Sequence, residues 1–117
     1  MRYRDLIVWQ KAMDLVVEIY RLSQTFPATE KFGLASQMQR AAVSIPSNIA
    51  EGHARKSSGA FINHLSIAAG SLAELETQIM LSERLTLCSS AHSQSLLMCT
   101  DEIGRMLTGL KTSLTNT

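Results

Sequence analysis

Three histidines, two cysteines and a scatter of carboxylates are the residues of this chain that could do chemistry. His53, His64 and His92 fall in three separate regions, and no two stand three or four positions apart. A helix brings two metal ligands onto one face only at those spacings. Glu74 and Glu76 are two apart, so on a helix they point to different faces. A di-metal helical bundle needs a glutamate followed three residues later by a histidine, and no such pair occurs. No metal and no cofactor is expected, and the histidines are read as solvent-facing.

Nucleophilic catalysis has no better support. The serines sit where helix caps and small-residue contacts belong, and no serine, histidine and acid are grouped in sequence. Cys88 falls at a helix end, where a dipole could lower its pKa, but no basic partner is close in sequence. With Cys99 it is read as a reduced pair in a cytoplasmic protein, without a disulfide. The chain is expected not to be an enzyme. Ser44, Asn48 and Glu51 form a polar group around Pro46. The proline removes the donor that would serve the Ala42 carbonyl, and a serine, an asparagine or a water could replace it. The group is read as structural, holding a bend and the register of the bundle, with a ligand pocket as the other possibility.

These residues must be carried by helices. Leu6, Trp9, Met13, Val16 and Tyr20 repeat at spacings of three and four, and Val8, Ala12, Leu15, Ile19 and Leu22 form a second stripe beside them. They predict a first helix from about Asp5, as its cap, to Ser23, ended by Phe26-Pro27. A second helix begins between Thr29, a possible cap, and Leu34, with Gly33 marking a break. It carries Leu34, Met38, Ala41, Ile45 and Ile49, bends at Pro46 without splitting, and stops at Gly52. A third helix follows Ser57 or Ser58 and reaches about Leu85 through Phe61, Leu65, Ala68, Leu72, Leu75 and Ile79. Gly70 lies inside it, costing about 1 kcal/mol against alanine, and implies close approach of another helix. A fourth, capped by Ser89 or Ser90, buries Leu96, Cys99, Ile103, Leu107, Leu110 and Leu114, with a fraying tail at Thr115-Asn116-Thr117. Short connections force antiparallel neighbours. Residues 1–117 are therefore expected to form one all-α domain, an antiparallel up-down-up-down four-helix bundle.

Apolar residues make up 45% of the chain, enough for a core, while charged residues reach only 18%. A surface that poor in charge is suited to self-association. The formal net charge of +1 excludes a broad electrostatic footprint, so any nucleic-acid contact must come from local clusters. Arg55 and Lys56 are adjacent, Arg2 and Arg4 lie at the N-terminus, and Lys11 and Arg40 lie on helix faces. Repeated around an assembly, such weak phosphate contacts add up. Arg40, Arg55, Lys56 and Lys11 are the candidate RNA- or DNA-binding residues. No aromatic stacking platform is expected, since Trp9, Tyr20 and Phe61 fall on apolar stripes. No secretory signal or membrane span is read.

Several strings resemble a known family. They are Leu6-Ile7-Val8-Trp9-Gln10-Lys11-Ala12, then Phe32-Gly33-Leu34 with Gln37, and Arg40-Ala41-Ala42-Val43-Ser44-Ile45-Pro46-Ser47-Asn48-Ile49-Ala50-Glu51-Gly52. Arg55 with Ser57, and Gly70-Ser71-Leu72 with Glu74-Leu75-Glu76-Thr77, complete the set. The chain resembles the four-helix bundle family encoded by intervening sequences in large-subunit ribosomal RNA genes, some members of which are labelled a ribosomal protein. That family in turn resembles the accessory variability protein of diversity-generating retroelements. The motif Pro46, Asn48, Glu51, Gly52 is the most specific part. The resemblance implies a ring of subunits, typically a pentamer, and nucleic-acid binding in the retroelement relatives. The chain departs from the family pattern in two places. Ala60 stands where a capping-box glutamate is usual, and Arg40 alone precedes Ala41-Ala42, where two basic residues are common. The expected function is a non-enzymatic oligomeric scaffold that contacts RNA or DNA through repeated basic residues. The alternative is a protein-interaction module that recruits a partner such as a reverse transcriptase.

Overall fold

The computed structural model describes residues 1–116. Four helices follow one another: α1 (Ile7–Ser23), α2 (Leu34–Ala54), α3 (Ser58–Arg84) and α4 (Ser90–Thr115). Single 3-10 turns precede α1 at Tyr3–Asp5 and α2 at Ala28–Glu30. Short connections return each helix alongside the last. α2 packs on α1 and most extensively on α3, α3 packs on α4, and α4 closes more thinly against α1. The result is an up-down-up-down bundle with extents of 46 × 23 × 20 Å. No strand occurs among the described residues.

The two stripes of α1 separate cleanly. Val8, Ala12, Leu15, Ile19 and Leu22 are buried in the core. Trp9 and Val16 pack against its edge, and Met13 and Tyr20 remain 43% and 39% exposed. Every apolar position expected inside α3 is buried. α2 runs through Pro46 as one helix, and Ile45, Pro46 and Ile49 are all buried, so the proline leaves the apolar phase intact. In α4, Leu96, Ile103 and Leu107 are buried. Cys99, Leu110 and Leu114 reach only the core edge. Thr100 is fully buried instead; its hydroxyl donates to Glu76 Oε2 on α3 at 2.8 Å, which compensates its burial.

Several helix ends differ from expectation. Asp5 does not cap α1: Leu6, extended at φ −73° and ψ 123°, stands between them. The Asp5 carboxylate closes its own 3-10 turn by accepting from the Arg2 backbone N–H at 3.1 Å. Thr29 lies inside the second 3-10 turn and α2 starts after Gly33. Ser57 and Ser89 are true caps, accepting from the backbone N–H groups of Ala60 and His92, each at 3.1 Å. With Ala60 in place of a glutamate, Ser57 makes one half of a capping box, its hydroxyl bond, without the reciprocal bond to its own N–H. α4 stays helical to Thr115; Thr117 lies outside the described residues.

Gly52 is not the stop of α2, which continues to Ala54 with Arg55 as its C-cap. The reversal falls on Lys56, in the left-handed region at φ 61°. Gly52 is glycine because α3 crosses there. A Cβ at position 52 would lie 2.5 Å from the His64 Cβ and 3.1 Å from Phe61 Cδ1. The close approach expected at Gly70 is absent: a Cβ there meets nothing within 4 Å. Gly52→Ala is therefore expected to cost about 1–3 kcal/mol through overpacking. Gly70→Ala should add about 1 kcal/mol through helix propensity. Urea denaturation measures both; a harmless Gly52→Ala would contradict the packing described.

Candidate nucleic-acid interface

The structure does not gather the four basic candidates. Lys11 Nζ is 2.6 Å from Glu102 Oε1 across the α1–α4 seam. That bond raises the Lys11 pKa and lowers that of Glu102. Both side chains are nearly half exposed, so water screens the pair and its contribution to stability is small. Arg55 is paired with Glu51, one turn earlier on α2, at 3.0 Å. Arg40 and Lys56 form no ion pair among the described residues. At the helical rise Arg40 is about 21 Å from the end of α2 at Ala54, and Lys56 lies beyond that end.

Antiparallel packing brings together residues that are distant in sequence. The Tyr3–Asp5 turn packs against α2, and a shallow cavity places Lys56 near the end of α4 at Leu114. Arg2, Arg4, Arg55, Lys56 and Lys111 thus share one end of the bundle. The acids there are engaged: Asp5 with the Arg2 backbone and Glu51 with Arg55. The Arg4 guanidinium lies 5.7 Å from the Tyr3 ring centroid. Sequence spacing alone cannot show this, because the cluster exists only once chain ends and connections meet.

The polar group near Pro46 has a different membership from the one expected. Asn48 Nδ2 donates to the Ser44 carbonyl at 2.9 Å and to Ser44 Oγ at 3.1 Å. Ser44 Oγ meets Ser71 Oγ on α3 at 2.8 Å, and Asn48 Oδ1 meets His64 Nδ1 on α3 at 3.0 Å. The Ser44 carbonyl takes the amide, not that of Ala42, and Glu51 points away to Arg55. His64 is therefore bonded across the helix pair, not simply solvent-facing. Because the Asn48 amide nitrogen is spent on Ser44, its oxygen must accept, and His64 Nδ1 must carry the proton. His53 is half-buried, its ring edge-on to Phe61 at 5.6 Å. Only an interhelical register could reveal His64 and Ser71 as members of this ladder.

The ladder and its proline occupy the string Ser44 to Gly52, on a four-helix frame. Residues 4–109 match the family described as 23S rRNA-intervening sequence protein. The chain belongs to that family. A solved structure of a protein of unknown function from the S23 ribosomal protein family of Bacteroides thetaiotaomicron VPI-5482 is similar, with a TM-score of 0.84 and 26% identity. The likeness covers 90% of this chain and 98% of that one. No curated protein matches the sequence.

In this member of the intervening-sequence family, no group of three or more His, Cys, Asp or Glu side chains among the described residues could hold a metal ion. Among the described residues, no helix is long and apolar enough to cross a membrane. Cys88 and Cys99 are both free thiols. Burial pushes the Cys88 thiol up, with Glu83 adding to it, so the lowering that a helix end could cause does not prevail. Burial also raises Cys99, with Glu102 adding and Lys11 opposing.

Asn48→Ala should cost about 1–3 kcal/mol in urea denaturation, because Ser44 and His64 lose their partner. Nitrogen NMR of the neutral His64 ring should show the proton on Nδ1; finding it on Nε2 would contradict the ladder. Both cysteine pKa values are raised by folding. Their contribution is complete below the ordinary thiol pKa of about 8.5 and is lost as pH climbs through the raised values. Thermal melts should show a decline above that pH, reduced in a Cys88→Ala, Cys99→Ala double variant.

Proposed function

We propose that this protein is a non-enzymatic scaffold that assembles from several copies and contacts the phosphates of RNA or DNA through cations repeated around the assembly. The observation that carries the reading is the basic end of the bundle. There, among the described residues, Arg2, Arg4, Lys56 and Lys111 stand clear of ion pairs and the acids are engaged. Arg55, partly neutralised by Glu51, supports them, and Arg40 adds a charge about a third of the way along α2. Lys11, held by Glu102, drops out of the contact set. One copy supplies too few charges for firm binding, and multiplication by assembly answers that shortage.

Assembly is supported by the apolar surface left uncovered. Met13, Val17 and Tyr20 are exposed along one face of α1, and Ile67 is exposed on α3 beside the open Gly70. A stripe on one copy against a small-residue face on the next is a heterologous contact, which closes into a ring when the rotation allows it. The family resemblance makes a pentamer the expected ring.

Light scattering after size exclusion should give a mass several times 12.9 kDa; a monomer at micromolar concentration removes the scaffold. Affinity for an oligonucleotide should fall steeply with salt. Lys56→Gln and Arg40→Gln should each lower the logarithmic salt slope by about 0.7–0.9 for every phosphate that the missing cation neutralised. An assembled protein that ignores nucleic acid at low salt would point to the partner-recruiting module instead.

A further inference from the structure

Phe32 is 88% exposed, although its neighbours on the same turn are ordered by backbone bonds. Glu30 N–H donates to the Pro27 carbonyl at 2.9 Å, Lys31 to Ala28 at 3.1 Å and Gly33 to Glu30 at 3.1 Å. The ring is thus presented on a folded platform with Lys31 Nζ 5.5 Å from its centroid. An aromatic ring held out in water loses the burial that usually makes it stabilising. It sits at the rim of a cavity of about 470 Å³ between α1 and α2, walled by Phe26, Pro27 and Ala35. Ser36 and Gln39 line this cavity and also the next one along the same seam, which holds Tyr20, Arg40 and Val43.

The two cavities form one groove with a distinctive chemistry. Its charged lining residues are Lys31 and Arg40, and no carboxylate of the described residues lines either part; Glu30 belongs to the turn but not to the lining. The cavity of the α1–α4 seam, by contrast, mixes Lys11 and Arg105 with Asp14, Asp101 and Glu102. The Gln39 amide nitrogen is spent on Ser23 Oγ at 2.9 Å, which leaves its oxygen to accept. Two accessible rings, two cations and an amide acceptor along one acid-free groove suit unpaired nucleotides. Bases stack on rings, phosphates meet cations, and the amide oxygen faces a base edge. A duplex keeps its bases stacked on each other and cannot use Phe32.

We infer that the α1–α2 groove from Phe32 to Arg40 binds single-stranded RNA or DNA, with a base stacked on Phe32 and the adjacent phosphates held by Lys31 and Arg40. The inference rests on the nucleic-acid reading above and adds the form of nucleic acid recognised. The test is fluorescence anisotropy with a labelled 12-mer of deoxycytidine and with a duplex of equal length, at fixed salt, for the whole protein and its variants. Phe32→Leu should lose about 5- to 150-fold in affinity for the single strand, the range for one stacked base. Its duplex affinity should be unchanged. Phe32→Trp should retain single-strand binding, since a larger ring still stacks. Phe32 is exposed, so neither variant threatens the fold.

If wild type binds the single strand and Phe32→Leu binds it equally well, the groove assignment fails while the broader function stands. If wild type binds neither oligonucleotide at low salt, both fail. If Phe32→Leu changes the mass seen by light scattering, the groove is a contact between copies of the chain, and the assignment is overturned.

Discussion

The crossing of α2 over α3 at Gly52 is the constraint on which the remaining structure depends. With His64 Cβ only 2.5 Å from where a side chain at position 52 would begin, the two helices approach as closely as backbone allows. That approach brings Asn48 within reach of His64, and Ser44 within reach of Ser71. Polar groups partly withdrawn from water are costly unless paired, and Asn48 and Ser44 each have a partner on the facing helix. The ladder therefore fixes which turn of α3 faces which turn of α2. An apolar seam alone would tolerate a slip more readily, because dispersion and burial are not directional.

Once α2 and α3 are registered, the outer helices follow. α4 is tied to α3 by Thr100 and Glu76, and to α1 only by a thinner seam with the Lys11–Glu102 pair at its surface. Three cations are paired with acids one turn away: Arg21 with Glu18, Arg55 with Glu51, Arg105 with Asp101. Such pairs stabilise little in water. Their larger effect is on the field the protein presents. The cations left over, apart from Arg84 at the end of α3, lie at one end of the bundle and along the α1–α2 groove. A chain of net charge +1 can in this way carry local positive surfaces without being basic as a whole.

Glycine spacing is a poor guide to close contact in this chain. Gly52 has the sequence context of a helix stop and is a crossing point; Gly70 has the context of a crossing point and faces open space. Both roles use the missing Cβ, and only the position of a neighbouring helix distinguishes them. The histidines are hard to place for a related reason. His64 lacks any partner within helical spacing, and its partner Asn48 lies on another helix. Phe32 gives no sequence signal as a surface ring because it lies off every apolar stripe, in a connection whose path no periodicity describes.

The sequence alone determined four helices, their approximate limits, their antiparallel order and most of the core. Apolar spacing and short connections are local properties, and each helix must hide its stripe. Tertiary structure alone decided which of the two α1 stripes is buried, how α2 and α3 are registered, which cations remain unpaired and which surfaces gather them. These are distances between residues far apart in the chain. They are set by how the helices rotate and cross to satisfy packing and hydrogen bonding together, and no single helix contains that information.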